Sequence, residues 1–359
     1  MSSQPLQPDS SSSSVPARRP VIAVTMGEPA GIGAEVIVKA LADPAVRRLA
    51  RYVVYGMNEL ISYAADLAEI EPFWWRLQHD SPRASYDLVH DVVVLDYDEY
   101  SMLGSSVHRP TKQGGQASLR FLDDALAAAL KPTGSDSRVD AIVTAPICKE
   151  SWKLTGCRYP GHTELLQART KSKRSVMMFH SSKLNVALAT VHIPLMEVRN
   201  TLTIGTVFDP IDLGNDAMIR LGVKKPRIAV CGLNPHASEN GQFGDEEARI
   251  ITPAIQVARE AGIDVHGPFP GDTIFRDAIA GKYDLVVAMY HDQGLIPVKL
   301  LAFDEAVNLT LGLPIIRTSV DHGTAFDIVG KNKADAGSMK AAIRLAVAMA
   351  LGQPTVGSN

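Results

Sequence analysis

The sequence predicts an α/β protein made of two α/β/α lobes with mostly parallel sheets, and three observations carry that prediction. Short apolar runs of strand length alternate with amphipathic stretches of helical length, the pattern of βαβ units. The chain has 359 residues, beyond the roughly 100–200 of an ordinary domain, so two lobes are expected. Polar clusters follow directly after several apolar runs, where open α/β sheets gather their ligands.

Taken in order, residues 1–19 are rich in Ser, Pro and Gln and hold almost nothing to bury, so a disordered tail is expected. The first lobe is expected over 20–150 plus 320–359, the second over 151–319. Val21–Thr25 reads as a strand, and the loop that follows spaces Gly27, Gly31 and Gly33 before a helical pattern. Such a strand, glycine turn and helix forms either an anion-receiving loop or simply a tight turn. The spacing is not that of the dinucleotide fingerprint. Residues 52–55 and 92–95 read as strands; Trp74 and Trp75 between them suggest a surface excursion or a partner contact. His79, His90 and His108 read as surface histidines.

Residues 116–130 place Leu119, Leu122, Ala125 and Leu126 on one helical face. The strand 140–144 comes next, and Lys149 lies just beyond it, as a ligand group or a solvated loop lysine. His162 and Thr163 fall where a helix opens, with Glu164 in its first turn. Thr163 there serves either as a cap or as an anion contact. Further strands are expected at 175–179, 185–190, 227–231 and 285–289, and helices at 246–261 and 338–351.

His192, His236 and His291 each follow a strand-like run by a few residues. Carboxyl ends of parallel strands share an edge, so three imidazoles distant in sequence can meet there and hold a divalent metal. His180, also at a strand end, shows that the pattern over-predicts, and His266 beside a Gly-Pro turn reads as structural. Arg317, Asn308 and Lys299 point to an anionic group on the ligand. Asp321 and His322 add titratable groups without a defined task.

Composition excludes several classes. With 46% hydrophobic and 21% charged residues the chain is globular, and a net charge of -3 gives nucleic acid no basic surface. No run reaches the roughly 18–20 apolar residues of a membrane span, and no apolar signal core precedes Val21. Cys148, Cys157 and Cys231 form no CxxC and suit the reduced thiols of a cytoplasmic protein.

The segments TMGEPAGIG, YPGHTELL, ALATVHIPL, LNPHASENGQFGDEE, AMYHDQG and VNLTLGLPIIRTSVDHGTAFDI, in this order, resemble those of the 4-hydroxythreonine-4-phosphate dehydrogenase family. The resemblance spans Val21 to Met349, leaving out the tail and the surroundings of Trp74. It implies a fold related to isocitrate and isopropylmalate dehydrogenases, with the active site in the interlobe cleft. It further implies a homodimer with shared active sites, NAD or NADP, and a divalent metal such as Zn, Mg or Co. Matched by motif, the metal ligands are His192, His236 and His291, and the substrate contacts are His162, Thr163, Lys299, Asn308 and Arg317.

The implied reaction is oxidation, with decarboxylation, of a small 4-phosphorylated 3-hydroxy acid, as in pyridoxal phosphate biosynthesis. Lys149 is the candidate proton-transfer group, with Asp321 and His322 as alternatives. Ala34 stands where the family often has proline. Cys148 stands before Lys149 where biosynthetic members often have histidine, and the run APICKESW is more like the catabolic branch acting on 4-phospho-threonate or 4-phospho-erythronate. A branch acting on aromatic cis-dihydrodiols commonly lacks the Asn and Arg motif present here. Two readings from other classes stand beside the dehydrogenase: a nonredox ligand-binding protein and a metal-dependent hydrolase.

Overall fold

Strands covered by helices on both faces need apolar residues at every position rather than at alternate ones. Val21–Thr25, Val92–Asp96, Ala141–Thr144, Ile228–Cys231 and Leu285–Ala288 are each buried along their whole length and polar only at the closing Thr25, Asp96 and Thr144. The structure is a computed structural model that describes residues 19–81, 90–100, 108–303 and 305–353. All of the expected tail except its last residue lies outside the described residues.

Among the described residues twelve strands join one sheet. In chain order they are β1 (Val21–Thr25), β2 (Arg51–Gly56), β3 (Trp75–Gln78), β4 (Val92–Asp96), β5 (Ala141–Thr144) and β6 (Val176–His180). They continue with β7 (Val186–Leu188), β8 (Ile228–Cys231), β9 (Val265–Phe269), β10 (Leu285–Ala288), β11 (Val307–Leu311) and β12 (Arg317–Ser319). Their spatial order is β3-β4-β2-β1-β5-β12-β11-β6-β7-β10-β8-β9. The set from β3 to β12 is parallel throughout, and so is the set β7-β10-β8-β9. Between them β11 is antiparallel to both β12 and β6, and β6 is antiparallel to β7. Three antiparallel pairings in succession reverse the direction, so the two parallel sets run opposite ways within one continuous sheet.

Two expectations change here. The parallel sets are parts of one sheet rather than separate sheets, because β11 and β6 bridge them. The Trp74-Trp75 excursion is instead the start of edge strand β3, paired in parallel with β4. Its residues are mostly exposed, so β3 has none of the apolar pattern that reveals a covered strand. Trp74 is partly buried and donates its indole N–H to Asn58 Oδ1 at 3.0 Å, while Trp75 stacks on His90.

The helix Lys112–Ala129 begins where Thr111 Oγ1 accepts the Gly114 N–H at 2.9 Å, and it buries Ala117, Phe121, Leu122, Ala125 and Leu126. The final helix, Gly337–Leu351, packs on β5, β11 and β12 across the join with the reversing strands. At the end of β1, Gly27 has φ +71°, and a Cβ there would lie 2.1 Å from the Pro146 carbonyl oxygen. The loops after β1 and β5 therefore touch backbone to backbone, with the Glu28 N–H donating to Pro146 O at 2.8 Å.

This close approach sets a stability prediction. Gly27→Ala combines a left-handed backbone with overpacking and should lower unfolding free energy by about 2–4 kcal/mol, read from urea denaturation. A change within about 0.5 kcal/mol, the range of neutral surface substitutions, would show that the two loops separate freely.

Candidate active site

Strands β7, β10 and β8 are neighbours and parallel, so the turns that carry His192, His291 and His236 leave one edge of the sheet. The first two turns are tied together: the Ala189 N–H donates to Ala288 O at 2.9 Å, and the Thr190 hydroxyl to Met289 O at 2.8 Å. His192 and His291 consequently face each other, with ring centroids 5.8 Å apart at 44°. His291 opens the helix His291–Ala302, and its Nδ1 lies 2.7 Å from the Asp292 carboxylate. Burial, then the positive charge of Lys149, holds the His192 imidazole below its usual value, while Glu164 opposes and His291 adds to the effect. Lys149, at the start of the helix Lys149–Leu154, and Glu164 thus lie within electrostatic reach of the pair.

His236 is presented differently. Residues 236–240 all have φ between +44° and +67°, five consecutive non-glycine residues in the left-handed region. Such a turn costs about 1–2 kcal/mol per residue and persists only when its surroundings impose it. Two buried carboxylates do so: Glu247 Oε1 accepts the N–H groups of Leu233 and Asn234, each at 2.8 Å, and Asn234 Nδ2 bonds to both Glu246 and Glu247. The turn holds His236 exposed beside Phe243. Among the described residues no three His, Cys, Asp or Glu side chains gather closely enough to hold a metal, so His236 does not join His192 and His291 within one chain.

The anion-binding candidates form a second group. Arg317 on β12 is only 3% exposed; its Nη1 donates to Thr310 Oγ1 at 3.0 Å and its Nη2 to Thr144 Oγ1 at 2.7 Å. Among the described residues its Nε has no partner, and neither do His162 Nε2, Asn308 Oδ1 or His322 Nε2. Each buried polar atom left without a partner costs about 1–3 kcal/mol, which is the mark of a place made for a ligand. Burial lowers the Arg317 guanidinium to about 10, against the pull of the Glu164 carboxylate. His162 is driven well below its ordinary value by burial first and by Arg317 second, and its ring lies 5.5 Å from that of Trp152.

Thr163 does not cap its helix. His162–Thr170 starts from Gly161, without a side-chain cap, which leaves the first-turn N–H groups open to an anion. Lys299 is paired with Asp321 at 3.0 Å, joining two residues that the sequence left unconnected. The structure therefore brings together His192, His291, Lys149 and Glu164, and separately His162, Arg317 and Glu164; it does not gather His236 with the first group.

Comparison with known proteins narrows the field. The family model described as "Pyridoxal phosphate biosynthetic protein PdxA" matches residues 48–346. The chain belongs to the PdxA family. A relative from Geobacter metallireducens named 4-hydroxythreonine-4-phosphate dehydrogenase is 44% identical, covering 94% of this chain and 97% of its own. A D-threonate 4-phosphate dehydrogenase from Salmonella typhimurium is 43% identical, covering 92% and 98%. The structure of a 4-hydroxythreonine-4-phosphate dehydrogenase from Klebsiella pneumoniae aligns with a TM-score of 0.79 at 42% identity over 92% of this chain and 99% of that one. A terephthalate cis-dihydrodiol dehydrogenase from Burkholderia xenovorans aligns more loosely, with a TM-score of 0.62 at 27% identity over 94% and 99%.

Several residues around this PdxA-family site were invisible to sequence reasoning. Thr144 and Thr310 hold Arg317, Trp152 backs His162, and Glu164 is the charge shared by both groups. Only Glu164 had a signal, its place in GHTE, and that signal read as helix-start chemistry. His180 bonds to Asn185 and His266 to Asp264, whereas His79, expected at the surface, is largely covered and stacks on Tyr97.

His162 supplies a test. Kept neutral, it binds no proton in the folded state while the unfolded chain gains one below about pH 6.5, so its contribution to stability is intact above that pH and drains away as pH falls. Imidazole NMR should find His162 neutral at pH 6, and Arg317→Met should raise its pKa without restoring the ordinary value, since burial remains. A wild-type His162 that titrates normally contradicts the buried pocket.

Proposed function

We propose that this chain is an NAD- or NADP-dependent, divalent-metal-requiring dehydrogenase that oxidises a 4-phosphorylated 3-hydroxy acid, of the 4-hydroxythreonine 4-phosphate type, with decarboxylation. The observation that carries the reading is the set of unpartnered atoms on Arg317, His162 and Asn308, linked through Glu164 to the imidazole pair His192 and His291. A nonredox binder or a hydrolase explains the pocket equally but not the dehydrogenase names of its relatives.

Arg317, with its free Nε, and the uncapped start of His162–Thr170 at Thr163 would take the phosphate end. Asn308 adds a neutral contact, and Lys299 a point charge once it leaves Asp321. Imidazole nitrogens suit a borderline metal, so His192 and His291 would hold the ion, with His236 as third ligand. When bound, zinc, magnesium or cobalt supplies Lewis-acid stabilisation of the developing alkoxide, and the nicotinamide accepts the hydride. Lys149, exposed and near His192, is the candidate proton-transfer group; Asp321 and His322 are its alternatives. The apolar cleft lined by Pro29, Ile32, Leu60, Tyr63, Leu67 and Gly330 offers the dinucleotide a place.

The exposed His236 implies a second copy of the chain as donor of the third ligand. Ile296, Leu300 and Phe303 form an exposed apolar stripe at 58%, 82% and 66% on the helix that His291 opens, and Leu195 and Met196 lie exposed just after His192. A homodimer with shared sites would cover this surface and complete the metal set. The interlobe cleft between 20–150 plus 320–359 and 151–319 would then house two active sites. No helix among the described residues is long and apolar enough to cross a membrane, and the free cysteines suit the cytoplasm.

The alternative substrate is 4-phospho-threonate or 4-phospho-erythronate, favoured by Cys148 before Lys149 and by the Salmonella relative's name. NADH absorbance with each acid side by side decides between them, and silence with all of them overturns the dehydrogenase reading. Activity should disappear with a chelator and return with added divalent metal. Mixing inactive His236→Ala with inactive His291→Ala should restore about a quarter of wild-type activity on random reassortment of a two-fold dimer; no recovery would place His236 in its own chain's site.

A further inference from the structure

Gln293 bonds to the main chain of two turns at once. Its Oε1 accepts the Met289 N–H at 2.7 Å, and its Nε2 donates to Gly232 O at 2.8 Å. Met289 directly follows β10, and Gly232 directly follows β8. Both partners are backbone groups of fixed polarity, so the amide can point only one way. The first bond alone is ordinary helix-start chemistry: Gln293 is the third residue of His291–Ala302, and such a residue commonly reaches back to an open N–H. The second is not, since Gly232 lies 61 residues away in the chain.

The His236 turn rests on Gly232. A Cβ there would lie 2.8 Å from Ala237 Cα and 3.0 Å from Glu247 Oε1, so the left-handed turn and its carboxylate anchor both close on this glycine. The Gly232 N–H donates to Phe269 O at 2.7 Å, which fixes it to the end of β9. The loop after β9 leaves room for the amide: a Cβ on Gly271 would lie 2.8 Å from Gln293 Nε2. One partly buried amide, two residues after His291, therefore joins the helix that His291 opens to the residue beneath the His236 turn. The bonds made by Ala189 and Thr190 tie the His192 turn to the same end of β10.

We propose that Gln293 is a positioning residue for the three imidazoles, setting the His236 turn relative to His291 and, through the end of β10, to His192. The inference rests on the metal reading above, which the facing imidazoles of His192 and His291 fit as donors. It holds whether His236 serves its own chain or a second copy, because in a two-fold dimer a shift of either turn is repeated in both sites. Removing a group that orients metal ligands from behind weakens metal binding by about 10–100-fold, and that is where the loss should appear.

The test is Co2+ binding to the full-length protein, stripped with a chelator and retitrated, followed by the visible absorption of the bound ion. Gln293→Met keeps the side chain's volume and removes both bonds. It should weaken Co2+ binding about tenfold or more and change the visible bands, which report ligand geometry. Gln293→Asn is too short to span the two turns and should do the same; it decides the matter should the methionine variant not fold. Asn185→Leu controls for general loosening of the sheet. Asn185 makes an equivalent pair of bonds at the opposite ends of β7 and β10, its Oδ1 2.7 Å from His180 Nδ1 and its Nδ2 donating to Asp284 O at 3.0 Å. Its replacement should lower the melting temperature as Gln293→Met does, yet leave Co2+ affinity within about twofold, because distant sites act independently. Wild-type affinity and bands in either Gln293 variant would overturn the proposal. So would an equal loss of affinity in Asn185→Leu, which would make the effect one of fold stability. A wild type that takes up no divalent metal fails at the earlier step and removes the metal reading together with this one.

Discussion

The rest of this molecule depends on one buried positive charge. Arg317 projects from β12 near the middle of a twelve-stranded sheet, and two threonine hydroxyls are its hydrogen-bond partners. A guanidinium so placed loses most of its hydration, and neutral hydroxyls repay only part of that loss. The deficit is carried by the packing around it, and its electrostatic effects spread outward. Burial, reinforced by Arg317, keeps His162 neutral, and Arg317 feels Glu164, whose charge also reaches His192. The Arg317 group and His192 are thereby coupled through a single carboxylate.

The sheet explains how such a charge can be held. Arg317 lies where the parallel direction reverses, between β5, which runs with β12, and β11, which runs against it. Thr144 reaches it from one side and Thr310 from the other. A wholly parallel sheet would have continued with another apolar strand. The antiparallel β11 instead brings Thr310 opposite Arg317 and Asn308 opposite Ser319, so polar groups from both directions share the same stretch of sheet. The final helix seals the far side by packing on these same strands.

Much of this was legible in the sequence because covered strands announce themselves. Continuous apolar runs located β1, β2, β4, β5, β8 and β10 within a residue or two, and the histidines after β7, β8 and β10 fell on adjacent parallel strands. What escaped had no local signature. Edge strand β3 is exposed and polar. The reversal at β11 and β6 depends on partners distant in the chain, which no periodicity reports. Glu28 on Gly114 is a contact between residues 28 and 114, visible only when β1 and the helix Lys112–Ala129 are in place. The left-handed turn at 236–240 lacks glycine at its strained positions, so it contradicts local preference and is imposed by Glu246 and Glu247.

That turn also separates two kinds of site residue. Arg317 and Asn308 stand on strands, and Lys149, His162 and His291 at helix starts, elements fixed by hydrogen-bonded ladders or turns. His236 stands on an irregular turn with left-handed backbone and is exposed, while its expected companions already meet each other. Backbone strain of this kind endures only where displaced geometry serves a purpose that relaxed geometry would not. A relaxed turn would let the imidazole fold back on its own surface. Held by two buried carboxylates, the turn instead keeps the imidazole extended at the surface beside Phe243.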